Sequence, residues 1–180
     1  MKKQYFTVIY GLILVISTSM VLIPLTDYRV AEGHSIAFQS ADPSGKFKTI
    51  TGNVKYSADN PSASSFYLSI PVNSINTGNG MMNKKAMTKE WFDQTSFPKI
   101  EFQSTSVYKD AQGVLQIKGV MTLKGVKRTF VIPASVTGNP SKYVFKGTFY
   151  VNRIEFGVGK KSATVPDKMK IVYELPIVKK

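Results

Sequence analysis

The 180-residue chain has no cysteine and one histidine, His34. Without thiols, disulfides, thiol redox chemistry, Cys-ligated zinc and cysteine nucleophiles are excluded, and so is a lipobox for lipoprotein anchoring. One histidine is too few for a His-rich metal site or a convincing Ser-His triad. His34 precedes a strand beside Ser35, a setting that suits a hydrogen-bonded structural role better than that of a base. Acidic residues are also scarce, 11 against 24 lysines and arginines. Asp59, Asp93, Asp110 and Asp167 all fall beside turn residues, so no local pattern supports a carboxylate pair for acid-base work. There is no phosphate-cradling glycine loop and no G-x-S-x-G elbow. The chain reads as a non-enzymatic protein. A hydrolase or isomerase built on scattered carboxylates is the minor alternative, because strands bring distant residues together.

What the chain does have is positive charge, a formal net +13. Lysine supplies nearly all of it, since only Arg29, Arg128 and Arg153 are arginines. No dense basic run or basic helix precedes the tail Lys179-Lys180, which argues against nucleic acid. Two readings remain. Lysines on outward strand faces deter edge-to-edge aggregation, or they attract anionic lipid or glycan at a membrane surface.

Lys2 and Lys3 precede an apolar run from Tyr5 to Leu25, the pattern of an export signal. The run is longer than a usual signal core, and only Ser17-Thr18-Ser19 resembles a cleavage site. It reads either as a cleaved signal or as an N-in, C-out membrane anchor. Residues 1–26 are assigned to this segment and 27–180 to one domain placed outside the cytoplasm, periplasmic or otherwise extracytoplasmic.

From Tyr28 onward the hydrophobic period is two. Ile36 and Phe38 share a face, as do Ile50, Val54 and Tyr56, then Phe66, Leu68, Ile70 and Val72. Ile100 and Phe102 follow, then Leu115, Ile117, Met121 and Leu123. The pattern ends with Phe130, Ile132, Ala134 and Val136, then Tyr143, Phe145, Phe149 and Val151, then Ile171, Tyr173 and Leu175. Turn residues separate these runs at 42–45, 59–61, 110–113, 124–125 and 138–140. Gly52, Gly119 and Gly147 interrupt the strands, where glycine marks bends or close approach. The pattern predicts an all-β protein, an antiparallel barrel of about eight strands, and such a barrel is just wide enough to hold one small ligand.

Residues 74–96 break the alternation. Met81, Met82, Lys84, Lys85, Met87, Glu90, Trp91 and Phe92 are spaced for one or two helical turns. Long connections of this kind are usually functional. A short helical insertion over one barrel end is expected, with its Met/Trp/Phe face turned into the mouth. Those residues act there either as a lid or as a core plug. Arg153, at the end of a strand, either forks to backbone carbonyls or meets an anionic head group, the structural fork being the better fit.

The segments "HSIAF", "GKFKTITGNVKY", "SIPVNSINTGN", "WFDQTSFPKIEFQSTSV", "LQIKGVMTLKGVKRTFVIP" and "VNRIEFGVG", in that order, resemble the successive motifs of the YceI-like family. That resemblance implies an exported, lipocalin-like eight-stranded barrel with an apolar channel for an isoprenoid chain, such as a quinone tail or polyprenyl lipid. It also marks a departure. Where the family commonly has Arg-Asp and then His-Leu, this chain has Met81-Met82-Asn83-Lys84-Lys85-Ala86, so its head-group contacts are expected to differ.

The ligand-binding residues assigned on this basis are Phe38, Phe47, Leu68, Ile70, Phe102, Ile117, Phe145, Phe149 and Tyr173 along the channel. Met81, Met82, Trp91 and Phe92 are assigned to its mouth. No catalytic residue, metal or cofactor is assigned beyond a bound isoprenoid lipid or quinone. The expected partners are that lipid and a membrane surface, with a homodimer allowed. The alternative is an envelope interaction protein, its barrel filled by its own side chains, that binds anionic lipid or glycan through its lysines.

Overall fold

The computed structural model describes residues 25–40 and 43–180. The N-terminal assignment therefore lies almost wholly outside the described residues. No helix among the described residues is long and apolar enough to cross a membrane.

Among the described residues, eleven strand segments form one antiparallel sheet. They are β1 (Thr26–Val30), β2 (Ser35–Gln39), β3 (Gly45–Phe47), β4 (Thr51–Tyr56), β5 (Ser65–Pro71), β6 (Ile75–Asn76), β7 (Lys99–Lys109), β8 (Leu115–Leu123), β9 (Val126–Asn139), β10 (Lys142–Asn152) and β11 (Lys168–Lys179). The sheet closes through β1–β11 pairing into a ring of eight, β1-β4-β5-β7-β8-β9-β10-β11. The remaining three segments continue ring strands past a break. β1 and β2 pair with successive stretches of β11, either side of a turn at 31–34. β3 and β6 likewise extend β4 and β5 beyond breaks at 48–50 and 72–74, and they pair with each other.

His34 stitches two of these breaks together. Its Nδ1 lies 2.9 Å from the Ala31 carbonyl, and its Nε2 accepts from the Ile50 amide at 3.2 Å. The histidine thus has the structural role its position suggested.

Alternation explains which residues face inward, and a bulge explains where alternation fails. Between Ser104 and Ser106 the β7–β8 register shifts by one residue. The extra residue resets the faces, so Ile100, Phe102 and Val107 are all buried despite their odd spacing.

β9 and β10 pair only from Ser135 to Asn139 against Lys142 to Lys146, and then separate. Phe130 fills the opening, edge-on to Phe149 at 6.0 Å and stacked on Phe156 at 6.1 Å. Pro133 has no amide hydrogen to lose at this missing ladder. Its carbonyl takes a hydrogen bond from the buried Tyr173 hydroxyl at 2.7 Å instead. Burial pushes the Tyr173 phenol well above its usual pKa, so it stays a neutral donor. Gly147 is required here, because any Cβ would collide with that same carbonyl oxygen and with the Tyr173 ring.

Candidate functional site: an apolar cavity inside the barrel

The barrel interior encloses a cavity of about 380 Å³, within the ~300–1,000 Å³ of typical ligand pockets. Its wall is hydrocarbon from nearly every strand. Phe38 comes from β2, Phe47 from β3, Leu68 and Ile70 from β5, Phe102 from β7, Ile117 from β8, Phe145 and Phe149 from β10, and Tyr173 from β11. All nine channel residues assigned from the sequence stand on this wall. Met121, Leu123, Ile132, Met169, Ile171 and Leu175 join them from the same inward faces.

The mouth is built by the connection that broke the strand rhythm. α1 (Gly80–Ala86) begins at Asn79, whose side chain accepts from the Met81 and Met82 amides. Successive helical residues point about 100° apart, so the two methionines part company. Met82, Lys85 and Ala86 lie at i, i+3 and i+4 and face the cavity together. Met81 is a correction to the assignment. The residue is 79% exposed, turned away from the mouth, and forms no part of the wall. Trp91 and Phe92 do line the cavity, and the Phe92 ring meets Phe47 edge-on at 6.1 Å. Met82 and Lys85 are themselves exposed, so the cavity reaches solvent here.

This mouth is anchored from the other side. The Lys124 ammonium donates to the carbonyls of Lys89, Glu90 and Gly157, and the Gly159 amide donates to Glu90. The segment after β10 thereby joins the mouth, contributing Val158, Thr164 and Val165 to the wall. No periodicity marked these three, because the segment is neither strand nor helix. Arg153 holds it. Arg153 is 4% exposed, and its guanidinium donates to the carbonyls of Val158, Lys160, Val165 and Pro166 and to Asp167. It is the structural fork and not a free head-group ligand.

The polar end of the cavity is sparse. Lys85 Nζ and Arg153 Cζ each sit 5.6 Å from the centre of the Trp91 ring. Trp91 Nε1 is buried without a hydrogen-bond partner. Thr77 and Thr164 supply hydroxyl-bearing side chains to the wall. No group of three or more His, Asp or Glu able to hold a metal occurs among the described residues.

The model of the YceI-like domain matches residues 28–177, from the first barrel strand to the last. The chain belongs to the YceI-like family. A UPF0312 protein of Enterobacter sp. (strain 638) is 30% identical over 146 residues, covering 77% of this chain and 74% of that protein. Among solved structures, BcnA of Burkholderia cenocepacia superposes with a TM-score of 0.73 at 24% identity, over 83% of this chain and 95% of that one. A polyisoprenoid binding domain from Saccharophagus degradans gives 0.66 at 12% identity, over 87% and 100%. At these identities the structural likenesses establish the fold, the closed eight-stranded YceI-like barrel.

Proposed function

We propose that this YceI-like protein is an exported, non-enzymatic carrier that holds an isoprenoid-like chain, a quinone tail or polyprenyl lipid, inside its barrel for transport, storage or sequestration. The observation that carries this reading is the cavity itself, about 380 Å³ walled by aliphatic and aromatic side chains. Each CH₂ moved from water into such a wall contributes about 0.8 kcal/mol. A dozen buried carbons thus contribute roughly 10 kcal/mol before ordering costs. A ligand held this way needs few polar contacts, which suits the sparse polar end. The polyisoprenoid binding named for the Saccharophagus domain supports the ligand class, and the basic, apolar N-terminus supports export. A self-filled barrel acting through its lysines does not account for the cavity.

Trp91 is the chain's single tryptophan and stands on the cavity wall, so it reports on occupancy. Titration with a short-chain ubiquinone should quench its fluorescence saturably, at one quinone per protein. Quenching that stays linear in quinone, as collisional contact in solution gives, contradicts the reading.

A further inference from the structure

We infer that the aromatic layer at the base of the cavity is a stop that sets how long a chain the barrel accepts, an inference that rests on the carrier reading above. The layer has two tiers. The upper tier, Phe66 and Phe145, faces the cavity, with ring centres 5.3 Å apart and nearly perpendicular. Beneath it Tyr56 meets Phe145 at 5.0 Å and Tyr143 at 4.9 Å, both edge-on. Tyr28 meets Tyr143 at 5.8 Å and donates its hydroxyl to the Pro140 carbonyl at the β9–β10 turn.

The three tyrosines lie off the cavity wall. Tyr56 and Tyr143 instead line a groove at the opposite end of the barrel, beside the 110–114 and 138–143 hairpins. Two tiers of rings therefore stand between the cavity and that far groove, within a core that also holds Val54, Val107 and Ile177. Edge-to-face contacts of this kind favour one arrangement of the rings, and Phe145 has no exposed surface at all. A chain entering beside Trp91 meets a fixed floor.

The depth above that floor follows from the strands. On β11 the wall runs from Met169 to Leu175, and on β10 from Val151 to Phe145. Six residue steps at ~3.3 Å along strands tilted by ~40° give roughly 15 Å. An extended chain advances ~1.2 Å per bond, since three bonds span ~3.6 Å, so the chamber takes about a dozen chain bonds or roughly three isoprene units. The rest of a longer chain stays at the mouth or outside it.

The test is a series of all-trans prenols of two, three, four, six and nine isoprene units, each competed against the quinone bound beside Trp91. In the native protein, affinity should climb about tenfold per unit while the added carbons are buried, then level off near three to four units. The double variant Phe145→Ala with Tyr143→Ala opens the layer towards the groove and should move the levelling-off to longer chains. Ile117→Phe adds a ring to the cavity wall without deleting core, so it remains informative if the double variant does not fold; it should move the levelling-off to shorter chains. An unchanged levelling-off in the folded double variant overturns the stop, as does one in folded Ile117→Phe or native affinity that keeps climbing to nine units. In each of those cases prenols still bind and the carrier reading stands. Failure of every prenol to bind overturns the carrier reading, and the stop with it.

Discussion

Replacing Arg153 with methionine is expected to remove about 3 kcal/mol of stability and to lower Tm by roughly 6–12 °C in a chain of this size. Arg153 is buried, and its guanidinium nitrogens reach four backbone carbonyls at 2.8–3.0 Å. Those carbonyls belong to residues 158–166, a segment without helix or strand to satisfy its backbone. One side chain takes the place of a ladder there. Methionine leaves the carbonyls without donors and leaves Asp167 without its ion pair, 3.2 Å away in the native protein. Lysine should recover only part of the loss, because a single ammonium cannot reproduce a planar fork that spans the segment. Trp91 rests against the same guanidinium, so its emission should shift to the red as the segment loosens. Denaturant unfolding followed by Trp91 emission measures both effects. A midpoint unchanged from the native protein would show that the fork does not hold the segment.

Replacing Leu68 with aspartate should lower quinone affinity at least about a hundredfold, because a hydrated carboxylate in the wall costs more than a few buried methylenes return. Leu68 lies midway along the sheet, opposite Gly52 on β4 and Phe102 on β7, with its side chain on the cavity. It is only partly buried, so the barrel keeps its strand pairings while the cavity admits water. Phe149→Asp, across the interior on β10, should have the same effect from another wall. The readouts are the Trp91 titration and a far-ultraviolet spectrum that reports on the sheet. Undiminished binding in a folded Leu68→Asp protein would place the ligand somewhere other than this cavity.

Seven of the eight ring strands were legible because each buries one face, which writes a period of two into the residues themselves; β1 was not, since Tyr28 is its one fully buried residue, and the first run read from the sequence, Ile36 and Phe38, is β2, outside the ring. The channel residues were legible for the same reason: Leu68, Phe102, Phe149 and Tyr173 all occupy inward positions in their runs. What escaped the pattern lies where period two fails. The breaks that split β1 from β2, β3 from β4 and β5 from β6 depend on contacts between those breaks, such as His34 reaching Ile50, which no single segment records. The bulge at Thr105 hid Val107, since alternation carried on from Phe102 puts that residue on the wrong face. Met81 and Met82 look equivalent in the sequence, and only the Asn79 cap fixes which of them the helix turns outward. Val158, Thr164 and Val165 reach the wall through the hydrogen bonds of Arg153, a long-range gathering with no periodic trace.

The most direct test of the carrier reading is native mass spectrometry, with lipid extraction, on the protein purified from cells whose membranes supply isoprenoid lipids. The expected result is a species heavier than the bare polypeptide by the mass of one isoprenoid lipid, lost in the Leu68→Asp variant and recovered in the extract. A protein that arrives with no lipid, and that takes up neither added quinones nor prenols, would contradict it.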